Sequence, residues 1–427
     1  MLLMAAIVII LLLVGVGLPI AFGVGGIALT AAALELGQRV HLVAAQVMVD
    51  GLTSFVLIAA PFFMLAGEIM NTGGMTRRIF RLAAALVGRL PGGLGQVNVV
   101  ASMLFAGMTG SALAEAVALG TMEIRAMRER GYDVEMSAAL TAAASTIGPI
   151  IPPSVPMVIY AALAGASVGQ LFLAGIVPGL LMGLSLMITV YIYSRLGKCP
   201  SLGKQPKGEV WAAAKDAIPS LISPVVVVGG IYSGLFTPTE AAIVATAYSL
   251  IIATLYREMT LRHLVEIVVR VVTTSGALFL LVAATTLLGW MVARTGVMTQ
   301  VAMWLGTEIA SPTVLMLLMV GLYILVGLVM EPVAAMILLV PILLPAIKIL
   351  QIDLVHFGVV TVLALVIGLI HPPVGLVMYA VARIADIRVE RLAIALIPFL
   401  IPLFLVLLLC AVFPGVVLWI PHLLRNL

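Results

Sequence analysis

Two short stretches hold the residues of this chain best able to do chemistry. Ile147-Gly148-Pro149-Ile150-Ile151-Pro152-Pro153 and Ile367-Gly368-Leu369-Ile370-His371-Pro372-Pro373 both end in a proline pair. Each pair removes two backbone donors from a helix and leaves carbonyls of the preceding turn without helical partners, at the negative end of a half-helix. Such oxygens suit a small hard cation. Two glycine-bearing turns offer further ligands. Gly107-Met108-Thr109-Gly110-Ser111-Ala112 carries the hydroxyls of Thr109 and Ser111 on a small-residue turn that allows close backbone approach. Gly327-Leu328-Val329-Met330-Glu331-Pro332 carries one carboxylate, Glu331, suited to ligate a cation, to carry a proton or to cap the following helix. Glu115, one turn beyond Ser111, could fill the same structural role. His371 precedes the second proline pair, where it could donate a hydrogen bond, respond to pH between about 5 and 8, or sit as a satisfied buried histidine. Glu240, three residues after Thr237, fits a capping box. Cys199 and Cys410 match neither a disulfide framework nor a zinc spacing. No Ser-His-Asp set, HExxH or Walker loop is present, so an enzyme of covalent hydrolysis or ATP use has no residue basis.

The elements that must hold these residues are membrane helices. Of 427 residues 63% are apolar and 9% charged, against about 25% charged in a soluble domain. Met1 to Leu34 and Met136 to Ser194 contain no Asp, Glu, Lys or Arg and no polar/apolar alternation, which excludes a β-barrel. With a mean hydropathy of +1.28, the length allows roughly ten to twelve crossings at about 20 residues each. The first apolar run has no preceding Lys or Arg and is expected to stay as membrane helix rather than be cleaved. The net charge of +4 needs no nucleic acid, because basic inner loops account for it.

The chain matches itself at an offset of about 220 residues. Besides the two proline stretches, Gly107 answers Gly327, Asp133 answers Asp353, Pro178 answers Pro398, and Tyr160 answers Tyr379 within one residue. Thr72 to Thr76 resembles Thr295 to Thr299, and Pro19 resembles Pro238. The expected fold is all-α and polytopic, with a first repeat over 1–194, a cytoplasmic linker over 195–216, a second repeat over 217–412 and an interfacial tail over 413–427. In the first repeat the elements are two helices around a proline turn at 2–35, a third at 43–71, a basic amphipathic stretch at 75–90, a re-entrant hairpin at 95–127, a proline-broken helix at 133–165 and a last crossing at 168–194. The second hairpin falls at 314–348 and the second broken helix at 353–382. If the hairpins do not cross, each repeat spans an odd number of times and the two are inverted. Charge supports that count. With the N-terminus outside, 18 of the 22 basic residues fall in inner loops, leaving Arg39, Arg294, Lys348 and Arg425 outside. Paired broken helices in opposed repeats point to a midplane transport site.

With Gly17 to Ala21 and Pro61 to Gly67 added to these motifs, essentially the whole chain resembles the large membrane subunit of the tripartite ATP-independent periplasmic (TRAP) transporters, of the ion transporter superfamily. The resemblance implies a bacterial inner-membrane, sodium-driven importer of a small organic acid. The cargo would be delivered by a periplasmic substrate-binding protein, and a small four-helix membrane subunit would be the second partner. It implies an elevator in which hairpins and broken helices move against a scaffold. One sodium site would use Thr109 and Ser111 with backbone oxygens around Gly148, Ile151 and Pro153. A second would draw on Gly327, Met330 and Glu331 with Gly368, His371 and Pro373. Gly110, Ser111, Pro152, Ser154 and Pro372 would face the substrate. At His371 the family often has Thr, so a hydroxyl is missing from the second set. The runner-up is a self-sufficient sodium/anion symporter of the same superfamily. A channel or an intramembrane enzyme is more remote.

Overall fold

The computed structural model describes residues 19–197, 199–200, 208–294 and 311–425, without the side chains of Thr109 and Arg425. The Thr295 to Thr299 match lies outside the described residues. Within them all regular structure is helical, and eight helical stretches are long and apolar enough to cross a membrane. In the first half α1 (Ile20–Leu36) begins directly after Pro19, followed by α2 (Val40–Asp50), α3 (Phe55–Thr72) and α4 (Met75–Val87). The hairpin is α5 (Gly93–Thr109) and α6 (Ala112–Glu129), and the broken helix is α7 (Val134–Ser145) and α8 (Val155–Ala164), leading into α9 (Val168–Arg195). The second half runs α10 (Glu209–Tyr232), α11 (Pro238–Leu255), α12 (Leu261–Arg294), hairpin α13 (Pro312–Gly327) and α14 (Pro332–Ile349), broken helix α15 (Leu354–Gly368) and α16 (Leu376–Ala385), then α17 (Val389–Val412) and α18 (Pro414–Arg425).

Two boundaries depart from the sequence reading. The single helix expected over 43–71 is two, because the chain turns at Gly51 and restarts at Ser54, with the Thr53 hydroxyl donating to Asp50 O at 2.7 Å. A Cβ at Gly51 would sit 2.3 Å from Thr286 Oγ1, so the turn is pressed onto α12. Residues 209–216 of the expected linker are the opening turns of α10, docked on α4 through Arg81, whose guanidinium meets Glu209 at 2.7 Å and Asp216 at 3.1 Å. The tail forms a helix after Phe413-Pro414, with Val417 and Leu418 buried.

Physical reasons for the repeat are visible in its caps. Asp133 accepts from Met136 N–H at 2.8 Å at the start of α7, and Asp353 accepts from Val355 and His356 N–H at 2.8 and 2.9 Å at the start of α15. Each satisfies donors that a helix N-terminus leaves orphaned. α7 from Met136 onward and α15 from Val355 onward are buried on every face, as helices apolar all round must be. They form the centre of the molecule. Tyr160 and Tyr379 are not equivalent in environment. Tyr160 is buried and donates to Leu354 O at 2.7 Å, while Tyr379 is exposed.

Ion pairs respect the charge-based sidedness. Arg77 and Arg78 pair with Glu258, and Arg391 with Glu135, all beside inner loops, whereas Arg294 pairs with Glu35 among residues assigned outside. Most of these side chains are at least one-third exposed, and such pairs contribute no more than about 1 kcal/mol each. They register elements rather than hold the fold together.

Candidate binding cavity

The first hairpin turns at Gly110 and Ser111. Gly110 takes a left-handed φ of +59°, and Ser111 caps α6, its Oγ accepting from Ala114 N–H at 3.4 Å. A Cβ at Gly110 would lie 2.9 Å from Val155 N and 3.2 Å from Pro153 O, so only glycine lets the tip seat on the break between α7 and α8. One turn back, a Cβ at Gly107 would lie 3.3 Å from Pro152 O. Within the break, Ser154 caps α8. Its hydroxyl donates to Pro149 O and accepts from Met157 N–H at 3.3 Å. Gly148 faces α6, where a Cβ would meet Glu115 Oε2 at 2.3 Å.

The second hairpin repeats the design with different chemistry. Glu331 caps α14, its Oε2 accepting from Val333 and Ala334 N–H at 2.9 and 3.2 Å. Its position corresponds to that of Ser111. Gly327 and Gly368 are packed backbone to backbone, a Cβ on either lying within 3.2 Å of the other's Cα. The His371 Nδ1 meets Pro372 O, and its ring stands edge-on to Phe404 with centroids 5.7 Å apart. Pro152 and Pro153 are buried, whereas Pro373 is exposed. The two Pro–Pro peptide bonds are cis.

Both tips open on one cavity of about 490 Å³. Gly110, Ser111 and Ala112 line it from the first hairpin, Glu331 to Ala334 from the second, Pro149, Val155 and Pro156 from one broken helix, and Leu369 and Leu376 from the other. The facing wall is the start of α1 with Met64, Gly67, Glu68 and Asn71 of α3 and Arg270 to Leu281 of α12. Arg270 is the cationic side chain among the described lining residues, its Nη1 3.3 Å from Glu68 Oε2. A mostly apolar cavity with a few convergent polar groups is the ordinary form of a small-ligand site.

Comparison with known proteins shows what kind of protein holds this cavity. The sequence pattern of the tripartite ATP-independent periplasmic transporter, DctM component, matches residues 6–416. The chain belongs to this family. The sialic acid TRAP transporter large permease protein SiaM of Vibrio cholerae is 43% identical over 408 residues, covering 95% of each chain. The C4-dicarboxylate TRAP transporter large permease protein DctM of Pseudomonas aeruginosa is 38% identical over 370 residues, covering 86% of each. The YdaH transporter of Alcanivorax borkumensis shares the fold at a TM-score of 0.64 and 15% identity, over 89% of this chain and 90% of that one. The chain is thus a TRAP large permease, a multi-pass protein of the bacterial inner membrane and a transporter rather than an enzyme.

In this permease the expected site residues separate into groups. Gly110 meets Pro153 at the first tip, and Gly327 meets Gly368 at the second. The side chain of Thr109 lies outside the described residues. Ile151 turns away onto Gly179 of α9, where a Cβ would be 2.3 Å from its Cγ1. Met330 is buried, and Glu331 is engaged as a cap and also faces the cavity. Of the residues expected to face the substrate, Gly110 and Ser111 line the cavity, while Pro152, Ser154 and Pro372 do not. Ser154 cannot, because it is fully buried and its hydroxyl is used within the break. Glu115 is not the counterpart of the Glu331 cap. It is fully buried with no hydrogen-bond partner, and Ser111 does the capping. Sequence reasoning missed Arg270 and Glu68. Arg270, counted in the sequence among the inner-loop basic residues, instead lies nine residues into the 34-residue helix α12.

Proposed function

We propose that the permease imports a small organic anion coupled to sodium, taking its cargo from a periplasmic binding protein and working with a small membrane subunit. The observation that carries this reading is convergence. Two hairpin tips and two interrupted helices, far apart in sequence, meet at one cavity against α1, α3 and α12. Sodium would be held at the first tip by the Thr109 and Ser111 hydroxyls and by carbonyls of the break around Gly148 and Pro153, where prolines leave oxygens without helical donors. No cluster of three or more His, Cys, Asp or Glu able to hold a metal occurs among the described residues, so the ligands would be hydroxyl and backbone oxygens, as suits an alkali ion. A second sodium is proposed around Gly327 and Gly368. Arg270 would meet the anion, exchanging its bond to Glu68 for one to the cargo. The relatives' names, sialic acid and C4-dicarboxylate, are both carboxylates and support an anionic cargo. In the proposed elevator, hairpins and broken helices slide as one unit past α1, α3 and α12, with the cavity at the sliding face.

The test is uptake of sialic acid and C4-dicarboxylates into proteoliposomes holding the permease, its small subunit and the binding protein, with and without an inward sodium gradient. Gradient-driven uptake that is lost in Ser111→Ala, with protein yield unchanged, is expected. Uptake indifferent to sodium removes the coupling, and full uptake by the permease alone favours the self-sufficient symporter.

A further inference from the structure

Away from the cavity, α5, α6 and α7 enclose a second group of oxygens. Asn98 of α5, Glu123 of α6 and Thr141 of α7 are each no more than 2% exposed. Asn98 Nδ2 donates to Thr141 Oγ1 at 2.7 Å and approaches Met127 Sδ at 4.0 Å. Thr141 Cγ2 would be 3.0 Å from a Cβ on Gly120. Gly120, Glu123 and Met127 lie three and four residues apart on one face of α6. Asn98 and Thr141 therefore face the stretch of α6 from which Glu123 projects. Both Glu123 carboxylate oxygens and Asn98 Oδ1 lack a hydrogen-bond partner.

Buried acceptors without partners on neighbouring helix faces are unfavourable unless something positive satisfies them, because burial removes the water that would otherwise solvate them. Among the described residues of α5, α6, α7 and the neighbouring α16, no buried basic side chain supplies the charge. α5 carries no ionisable residue and α7 only Glu135; on α6 itself Glu115 is acidic, Arg125 is exposed and paired with Glu129, and Arg128 is exposed; Arg383 of the neighbouring α16 is exposed. The set is a carboxylate, an amide carbonyl and a hydroxyl from three helices, all hard oxygen donors.

We propose that Glu123, Asn98 and Thr141 form a sodium site inside the α5–α6–α7 unit. Glu123 lies twelve residues along α6 from Ser111, about 18 Å at the helical rise, so this site is separate from the one at the hairpin tip. With sodium bound it would contribute a full negative charge, which the tip's hydroxyls and carbonyls do not, and it would tie the two hairpin helices to the buried half of the broken helix.

The test is binding of radioactive sodium to the purified full-length permease in detergent, with the number of ions per chain determined for the wild type, Glu123→Gln, Thr141→Val and Ser111→Ala. Glu123→Gln is expected to lose one ion per chain while keeping the ion that Ser111→Ala removes. Retention of that second ion also establishes that the variant is folded. Thr141→Val, which keeps the side-chain shape, is expected to weaken the same ion roughly tenfold, and it decides the matter if Glu123→Gln does not fold. A Glu123→Gln protein that binds as many ions as the wild type overturns the proposal, as does one whose only change is the pH dependence of thermal unfolding in sodium-free buffer, the mark of a bound proton. Loss at Glu123 with no loss at Ser111 leaves this site standing and removes the sodium reading of the tip.

Discussion

At the residue scale, two positions in the site call for different experiments although both touch it. Gly148 lies in the first break, but a methyl there would fall 2.3 Å from a buried oxygen of Glu115. Gly148→Ala is therefore expected to destabilise the permease by about 1–3 kcal/mol through overpacking, seen as a lower thermal midpoint in detergent, before any effect on sodium can be read. An unchanged midpoint would mean that Glu115 has room to move. Arg270 faces open space on its cavity side, so its replacement tests binding rather than folding. Arg270→Gln is expected to raise the KM for an anionic cargo roughly tenfold to a hundredfold, the loss of one hydrogen bond to a charged group, with sodium dependence kept. Glu68→Gln removes the competing carboxylate and is expected to leave KM equal or lower. A KM unaffected by Arg270→Gln would take the arginine out of the binding site.

At the element scale, the starts of the central helices are set by their caps. Asp133 and Asp353 open the two central helices in the same way, and Asp133→Ala is expected to cost about 1 kcal/mol of stability, measured by thermal or chemical unfolding, with Asp133→Asn close to the wild type. Equal stability of both variants would mean that burial of α7, not its cap, fixes where it starts. These caps also explain what could be read from the chain in advance. Hairpins and broken helices were legible because proline and glycine act locally, through missing donors and permitted backbone angles, and their recurrence at one offset gave independent support. The Glu240 capping box was legible for the same reason, and it is present in full, with Thr237 and Glu240 bonding each other's backbone. What could not be read depended on residues distant in sequence. The turn at Gly51 follows from Thr286 pressing on it, and the Arg270–Glu68 pair from the packing of α3 beside α12. Asn98, Glu123 and Thr141 look like ordinary helix residues until three helices bring them together.

At the scale of the whole molecule, the question is whether the cavity wall is a fixed pocket or a sliding face. One side is made by hairpin tips and broken helices packed on each other, Gly110 on Pro153 and Gly327 on Gly368, while the other is made by α1, α3 and α12; the two sides enclose the cavity and touch around its rim, α3 on α5 and α8 and α12 on α14. Rigid-body motion would have to slide those rim contacts past one another, and the cavity is where packing is loose enough for displacement to concentrate, because well-packed interiors deform little. Cysteines placed at Leu113 beside the tip and Thr274 on α12, both exposed and lining the cavity, can be joined by a bifunctional maleimide with a cleavable spacer. The native Cys199 and Cys410 are buried and poorly placed to compete. Joining the two is expected to stop uptake in the assembled transporter, and cutting the spacer to restore it, while either cysteine alone capped with a small maleimide retains activity. Uptake at the full rate with the bridge intact would mean that the tip does not travel past α12, and transport would then have to proceed by local opening of the tips against a stationary wall.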